Sequence, residues 1–167
     1  IDHMHTVIRE NWNDTVHPGD VVYIIGDVSF GTLDQTVRYL STLNGSLHLI
    51  AGNHDRNLVT HKNALLSRNI FASIAHYRII SLKDKRQVHM HHCPLECWPR
   101  QARGAAMLYG HCHGSLREYG PPMLRWDVGI MTELVNYRPL SEDRLIALIN
   151  EREALIREDN YNCRDHH

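Results

Sequence analysis

The sequence predicts an α/β protein: a layered sheet flanked by helices, with an antiparallel portion. Two observations carry that prediction. The apolar runs VVYII (21–25) and LHLIA (47–51) do not alternate with polar residues, as expected of strands buried on both faces, and a helical pattern separates them. FASIAHYRIISL and QVHMHHC, joined by the charged turn KDKR, read instead as the two strands of a hairpin.

Each element has its own warrant. Met4, Ile8 and Trp12 recur at helical spacing and predict an opening amphipathic helix ending near Asn13, followed by a turn at Pro18-Gly19. After VVYII comes Gly26-Asp27. Thr32 with Gln35 forms a capping box for a second helix, whose Leu33, Val37 and Leu40 share a face and which Gly45 stops. LHLIA runs into Gly52-Asn53-His54-Asp55, and a polar helical stretch follows at 57–68. Residues 94–105, with two prolines, Trp98 and two arginines, read as a long loop. AAMLY and LRWDVGI supply two more strands. Ser141 caps a last helix with a packing stripe of Leu145, Leu148, Ile149, Leu155 and Ile156.

Composition narrows the function classes. A chain of 167 residues is expected to form one domain, here 1–160 with a flexible tail at 161–167. Its formal charge of −1 provides no basic field for duplex nucleic acid, and its apolar runs are too short to span a membrane. Four cysteines with no CxxC pairing read as reduced thiols, which points to the cytoplasm. The unusual count is 14 histidines, clustered at 89–92 and 111–113.

GD, GNHD, HHCP and GHCHG each end a predicted strand, where α/β sheets collect functional residues. On an extended backbone His111 and His113 share a face and Cys112 turns away towards the core, although the heptapeptide LYGHCHG alone also reads as two surface histidines on a hairpin. Together the strand ends offer Asp27, Asn53, His54, His91 or His92, His111 and His113. This mixed oxygen and imidazole set suits Mn, Fe, Ni or Zn.

The order GD, GNHD, H-x-P, GHxH resembles the calcineurin-like metallophosphoesterase superfamily, in particular its small bacterial and phage-type phosphoesterases. IRENWN, HPGDVVYIIGDVSFG and RWDVGI extend the resemblance over most of the chain. It implies a β-sandwich of mixed sheets flanked by helices, with two divalent metal ions at the strand ends. It makes Asp27 the carboxylate bridging both ions. Asn53, His92 and His111 complete the second metal, and His113 serves the first. His92 is preferred because it precedes an x-Pro step, which leaves His91 and His89 solvated. His54 contacts the phosphoryl oxygen or protonates the leaving group, with Asp55 holding its ring. Two cations roughly 3.5–4 Å apart hold a hydroxide at neutral pH and neutralise phosphoryl oxygens. The implied activity is hydrolysis of a small phosphate ester or nucleotide, by a phosphatase or a phosphodiesterase.

The chain departs from the family at its start, where the Asp-x-His pair of the first strand is absent. Asp2-His3-Met4-His5 has Asp-x-x-His spacing and falls in the opening helix. The first metal thus keeps only Asp27 and His113, where about three protein ligands are usual. Truncation of a longer protein is the favoured expectation, with replacement by Asp2 and His5 or decay of the site as alternatives. A catalytically impaired scaffold or binding module and a mononuclear metal-binding protein are the competing functional readings. Asp127 is expected either to hydrogen-bond a ligand histidine or to be structural. Arg56, Arg100 and Arg103 are phosphate-clamp candidates that also read as solvated, and Trp98 reads as packing before stacking.

Overall fold

The computed structural model describes residues 2–116 and 122–162, the side chains of Asp2 and 159–162 excepted. It is an α/β arrangement of two sheets with helices against them. Helix α1 (Asp2–Thr15) leads through a turn at Pro18-Gly19 to β1 (Val21–Ile24), α2 (Leu33–Leu40) and β2 (Ser46–Ile50). Two short helices, α3 (Arg56–Thr60) and α4 (Lys62–Ser67), precede β3 (Ser73–Ala75). β1, β2 and β3 form a parallel sheet in that order, with Val21 opposite Ser46 and His48 opposite Ser73.

The second sheet is mixed. β4 (Tyr77–Ser81) and β5 (Gln87–His91) form an antiparallel hairpin, and β6 (Ala106–Tyr109) and β7 (Arg125–Asp127) continue it in parallel. The segment 71–82, expected as one strand, is therefore two strands in different sheets. Parallel pairing ends at Ala75, antiparallel pairing starts at Tyr77, and His76 alone makes the crossing. The 94–105 loop carries a short 3₁₀ turn at Gln101–Arg103, and α5 (Glu142–Asn162) closes the described chain. α5 takes in residues 161 and 162 of the expected tail, and 163–167 lie outside the described residues.

Local chemistry explains the boundaries. The capping box of α2 is formed: the Gln35 amide donates to the Thr32 hydroxyl and the Thr32 amide to Gln35 Oε1. The helix ends at Ser41, so Gly45 does not stop it. With φ of +96° and no room for a Cβ beside Val16 and Val22, Gly45 turns the chain into β2 instead. Ser141 caps α5 by accepting the Arg144 amide at 3.2 Å.

Two large cores lie on either side of the parallel sheet. Trp12 and Val16 of α1, Val37 and Leu40 of α2, and Leu65 of α4 pack with Leu47, Leu49 and Ile74. Ile25 and Ile50 pack with Val88, Met90, Leu108 and Trp126 of the mixed sheet and with Leu145, Leu148 and Ile149 of α5. Three apolar expectations fail. Met4 on α1 and Leu155 on α5 are exposed, and Val21 is 57% exposed at the start of β1, which has a strand neighbour only on its β2 side among the described residues. The outer face of the mixed sheet is covered by the 94–105 loop through Trp98, Met107 and Tyr109, with Cys112 packed alongside. That cover buries His89 completely, correcting the expectation of a solvated side chain. No helix among the described residues is long and apolar enough to cross a membrane.

Candidate metal centre

Asp27, Asn53, His92 and His111 follow the carboxyl ends of β1, β2, β5 and β6, and the packing of the two sheets brings these ends together. His92 is the bolt between the sheets. Its own carbonyl accepts the amides of Gly110 and His111, at 3.1 and 3.0 Å, which aligns the loop after β6. Its Nδ1 lies 3.0 Å from the Ile25 carbonyl oxygen at the end of β1. A carbonyl only accepts, so Nδ1 donates to Ile25 and Nε2 is the nitrogen turned towards the other side chains of the group.

Around His92 Nε2 stand Asn53 Oδ1 at 3.1 Å, His111 Nδ1 at 3.1 Å and Asp27 Oδ2 at 3.2 Å. Asp27, His92 and His111 form the group of potential metal-binding acidic, histidine and cysteine residues among the described residues, and the Asn53 amide oxygen joins it. One proton between two of these atoms would settle a single contact, whereas a cation at their centre would settle all of them. Metal–ligand bonds of about 2.0–2.1 Å in octahedral to tetrahedral geometry put neighbouring ligand atoms roughly 2.8–3.4 Å apart, and the three distances to His92 Nε2 fall in that range. His92 is buried, but Asn53 and His111 are exposed, so the centre is open on one side to solvent.

Close backbone approach makes this convergence possible. A Cβ on Gly26, where φ is +74°, would lie 2.2 Å from His92 Nδ1. One on Gly52 would lie 2.4 Å from Asp27 Oδ1 and 2.9 Å from His92 Cε1. Asp27 itself has φ of +54°, a costly conformation for a non-glycine residue.

Asp55 holds that conformation. Its buried carboxylate accepts the amides of Asp27 (2.8 Å), Val28 (3.0 Å) and Gly52 (2.8 Å). The expectation that Asp55 holds the His54 ring is corrected: both of its oxygens are engaged by backbone amides, so it fixes the metal loop. The His54 amide donates to Asp27 Oδ1 at 3.0 Å, and its exposed ring meets Phe30 edge-on, with centroids 5.0 Å apart. Sequence reasoning also missed the Ile25 carbonyl and the steric role of the two glycines, although the glycines directly before Asp27, Asn53 and His111 were the available signal.

His113 does not join the group. Residues 111–114 form a turn, with φ of +49° at His113 and +77° at Gly114, so the shared-face rule for extended chain does not apply. Asp127 accepts the amides of Gly114 (2.8 Å) and Gly129 (2.9 Å) and so pins this turn through its backbone. His91 Nδ1 lies 2.9 Å from the Cys93 carbonyl, and half-buried His91 is no part of the centre. In α1, His5 packs its ring against Tyr39, and the side chain of Asp2 lies outside the described residues. Arg56, Arg100 and Arg103 are exposed, and Trp98 is buried with its indole nitrogen donating to the Ala105 carbonyl.

No protein-family model matches the chain. It is similar to the uncharacterized protein MJ1445 of Methanocaldococcus jannaschii, with 27% identity over 166 positions, covering 96% of this chain and 82% of that protein. Its fold is similar to the crystal structure of AQ665, a protein of unknown function from Aquifex aeolicus. The TM-score is 0.64 at 22% identity, over 89% of this chain and 86% of that one.

Proposed function

We propose that the chain is a metal-dependent phosphoesterase hydrolysing a small phosphate ester, with one divalent ion held by Asp27, Asn53, His92 and His111. On this reading the two sheets are halves of a calcineurin-like β-sandwich without its first strand. The observation that carries the reading is the set of three potential ligand atoms within 3.2 Å of His92 Nε2. Such a dication supplies Lewis acidity towards a phosphoryl oxygen and acidifies water. The second ion implied by the resemblance would rest on Asp27 and His113, and those two are not gathered into a common group among the described residues.

The chain's own residues supply the rest. His54, tied by its amide to Asp27 Oδ1, places an exposed imidazole beside the centre, where a ring nitrogen can protonate a leaving alkoxide. Among the described residues, Cys93, Cys97 and Cys112 are free thiols, which supports a reducing, cytoplasmic setting.

Hydrolysis of aryl phosphate mono- and diesters by purified protein in excess Mn²⁺ tests the proposal. The expected result is turnover that His54→Ala lowers by about 10²–10⁴-fold while the bound ion is kept. A metal-loaded wild type with no turnover on either ester would overturn it. The single donor group favours a second reading, a mononuclear metal-binding protein without hydrolysis. That reading predicts one tight ion per chain and no effect of His54→Ala on any catalytic rate.

A further inference from the structure

The loop that begins at Asp27 carries an unusual side chain three residues on. Phe30 is 79% exposed, more than any other large hydrophobic side chain among the described residues. Solvent exposure of a whole phenyl ring is unfavourable, by roughly 1.5–3 kcal/mol relative to burial. Here that exposed ring stands at a concave polar surface. Phe30 and His54 meet at an interplanar angle of 60° on the rim of a cleft of about 170 Å³, floored by Thr36, Asp55 and Leu58 and flanked by Ser29 and Asn57. The cleft shares His54 and Asp55 with the metal loop, so it opens directly beside the candidate centre.

Size and lining select an occupant. A closed cavity of about 150 Å³ takes one benzene-sized ring, so this open-sided cleft of about 170 Å³ has room for one planar base and not for a bulky side chain or a helix. One aromatic wall, with hydroxyl and amide groups at the edges, matches a heterocycle that stacks on one face and hydrogen-bonds at its rim. An alkyl or sugar phosphate has nothing to place against Phe30.

We propose that Phe30 and His54 form a ring-binding bracket that selects phosphoesters carrying a nucleobase. The proposal deepens the phosphoesterase reading and rests on it for the phosphate end of the ligand, but the bracket itself is testable without turnover. AMP and ribose 5-phosphate share the phosphate and sugar and differ only in the base. Chelator-treated, ¹⁵N-labelled protein is titrated with each, and the amide shifts of Ser29, Gly31 and Asn57 are followed by NMR. AMP is expected to bind about tenfold more tightly than ribose 5-phosphate, a difference of about 1.4 kcal/mol. Phe30→Ala, at an exposed position whose loss leaves the cores intact, is expected to bring AMP down to the ribose 5-phosphate level. Equal affinity of the two ligands for the wild type would overturn the bracket, as would an AMP preference that survives Phe30→Ala. If the preference and its loss in Phe30→Ala are seen but metal-loaded protein hydrolyses neither compound, the bracket stands and the hydrolytic reading falls.

Discussion

Asp27 and His113 both follow strands, and both sit in the left-handed region, with φ of +54° and +49°. Only one of them reaches the centre. Asp27 is held from two sides: its amide and that of Val28 donate to the buried Asp55 carboxylate, and its own Oδ1 accepts the His54 amide. His113 is exposed, and its turn is pinned through the neighbouring Gly114 amide to Asp127. The contrast shows that an unfavourable backbone is useful for ligation only where a buried charge over-determines it. At the Asp27 end the aspartate that matters most for geometry is Asp55, which is outside the group of candidate ligands.

Removing that carboxylate should have the largest effect. Asp55→Ala leaves three buried or half-buried amides without their charged acceptor. At about 1.5–3 kcal/mol per charge-assisted bond, and allowing for non-additivity, a loss of roughly 3–5 kcal/mol is expected in urea unfolding. The tight ion should be lost with it, because Asp27 and Gly52 are released together. Asp127→Ala removes two such bonds at a more exposed turn and should cost about 1–2 kcal/mol. Comparable losses at the two positions would break the comparison.

Gly52→Ala probes the same loop without altering any charge. The added methyl would lie 2.4 Å from Asp27 Oδ1, so Asp27 or His92 must move. The expected outcome is a metal affinity reduced about 10–100-fold, the range seen when groups supporting metal ligands are disturbed, with a smaller cost in stability. Competition against a chromophoric chelator measures it, and unchanged affinity would mean that the ion does not use both Asp27 and His92.

What the sequence shows and what it hides follow the same division. Asp27, Asn53 and His111 were legible because each follows a strand pattern directly after a glycine, whereas the strand pattern left His91 or His92 open and only the x-Pro step of the resemblance favoured His92. The role of Asp55 was not legible. An aspartate one residue before a helix reads as a cap or as a partner of its neighbour, whereas two of its three amides come from 27 and 28 residues upstream. The shared face expected of His111 and His113 fails because a period of two holds only for extended chain, and 111–114 form a turn. The break at His76 carries no glycine or proline to mark it, and the burial of His89 depends on a loop that follows its own strand in the sequence.

His89 provides a pH test of that buried outer face. Burial lowers its pKa below the usual 6.5, an effect partly offset by the Pro99 carbonyl, and the Tyr77 hydroxyl pairs with Nδ1 of the neutral ring. His48 is shifted the same way by burial and then by Arg78. The unfolded chain therefore binds more protons than the folded one as pH falls through about 6.5. Stability should be fully present above that pH and decline below it. His89→Gln, which keeps an acceptor for Tyr77, should flatten the part of this acid limb that His89 contributes, as thermal unfolding between pH 7.5 and 5 would show.

The smallest expected effect is the most discriminating for the ion count. If one cation sits among Asp27, Asn53, His92 and His111, then His111→Ala removes a quarter of its protein donors, and His113→Ala removes none. His113→Ala should retain one ion per chain with affinity within about twofold of the wild type, a change below the size of any direct metal–ligand bond. His111→Ala should lose the ion under the same chelator challenge. If His113→Ala instead sheds one of two ions bound by the wild type, the turn at 111–114 must rearrange on loading. The open side of the centre would then be the place where a second cation joins through Asp27.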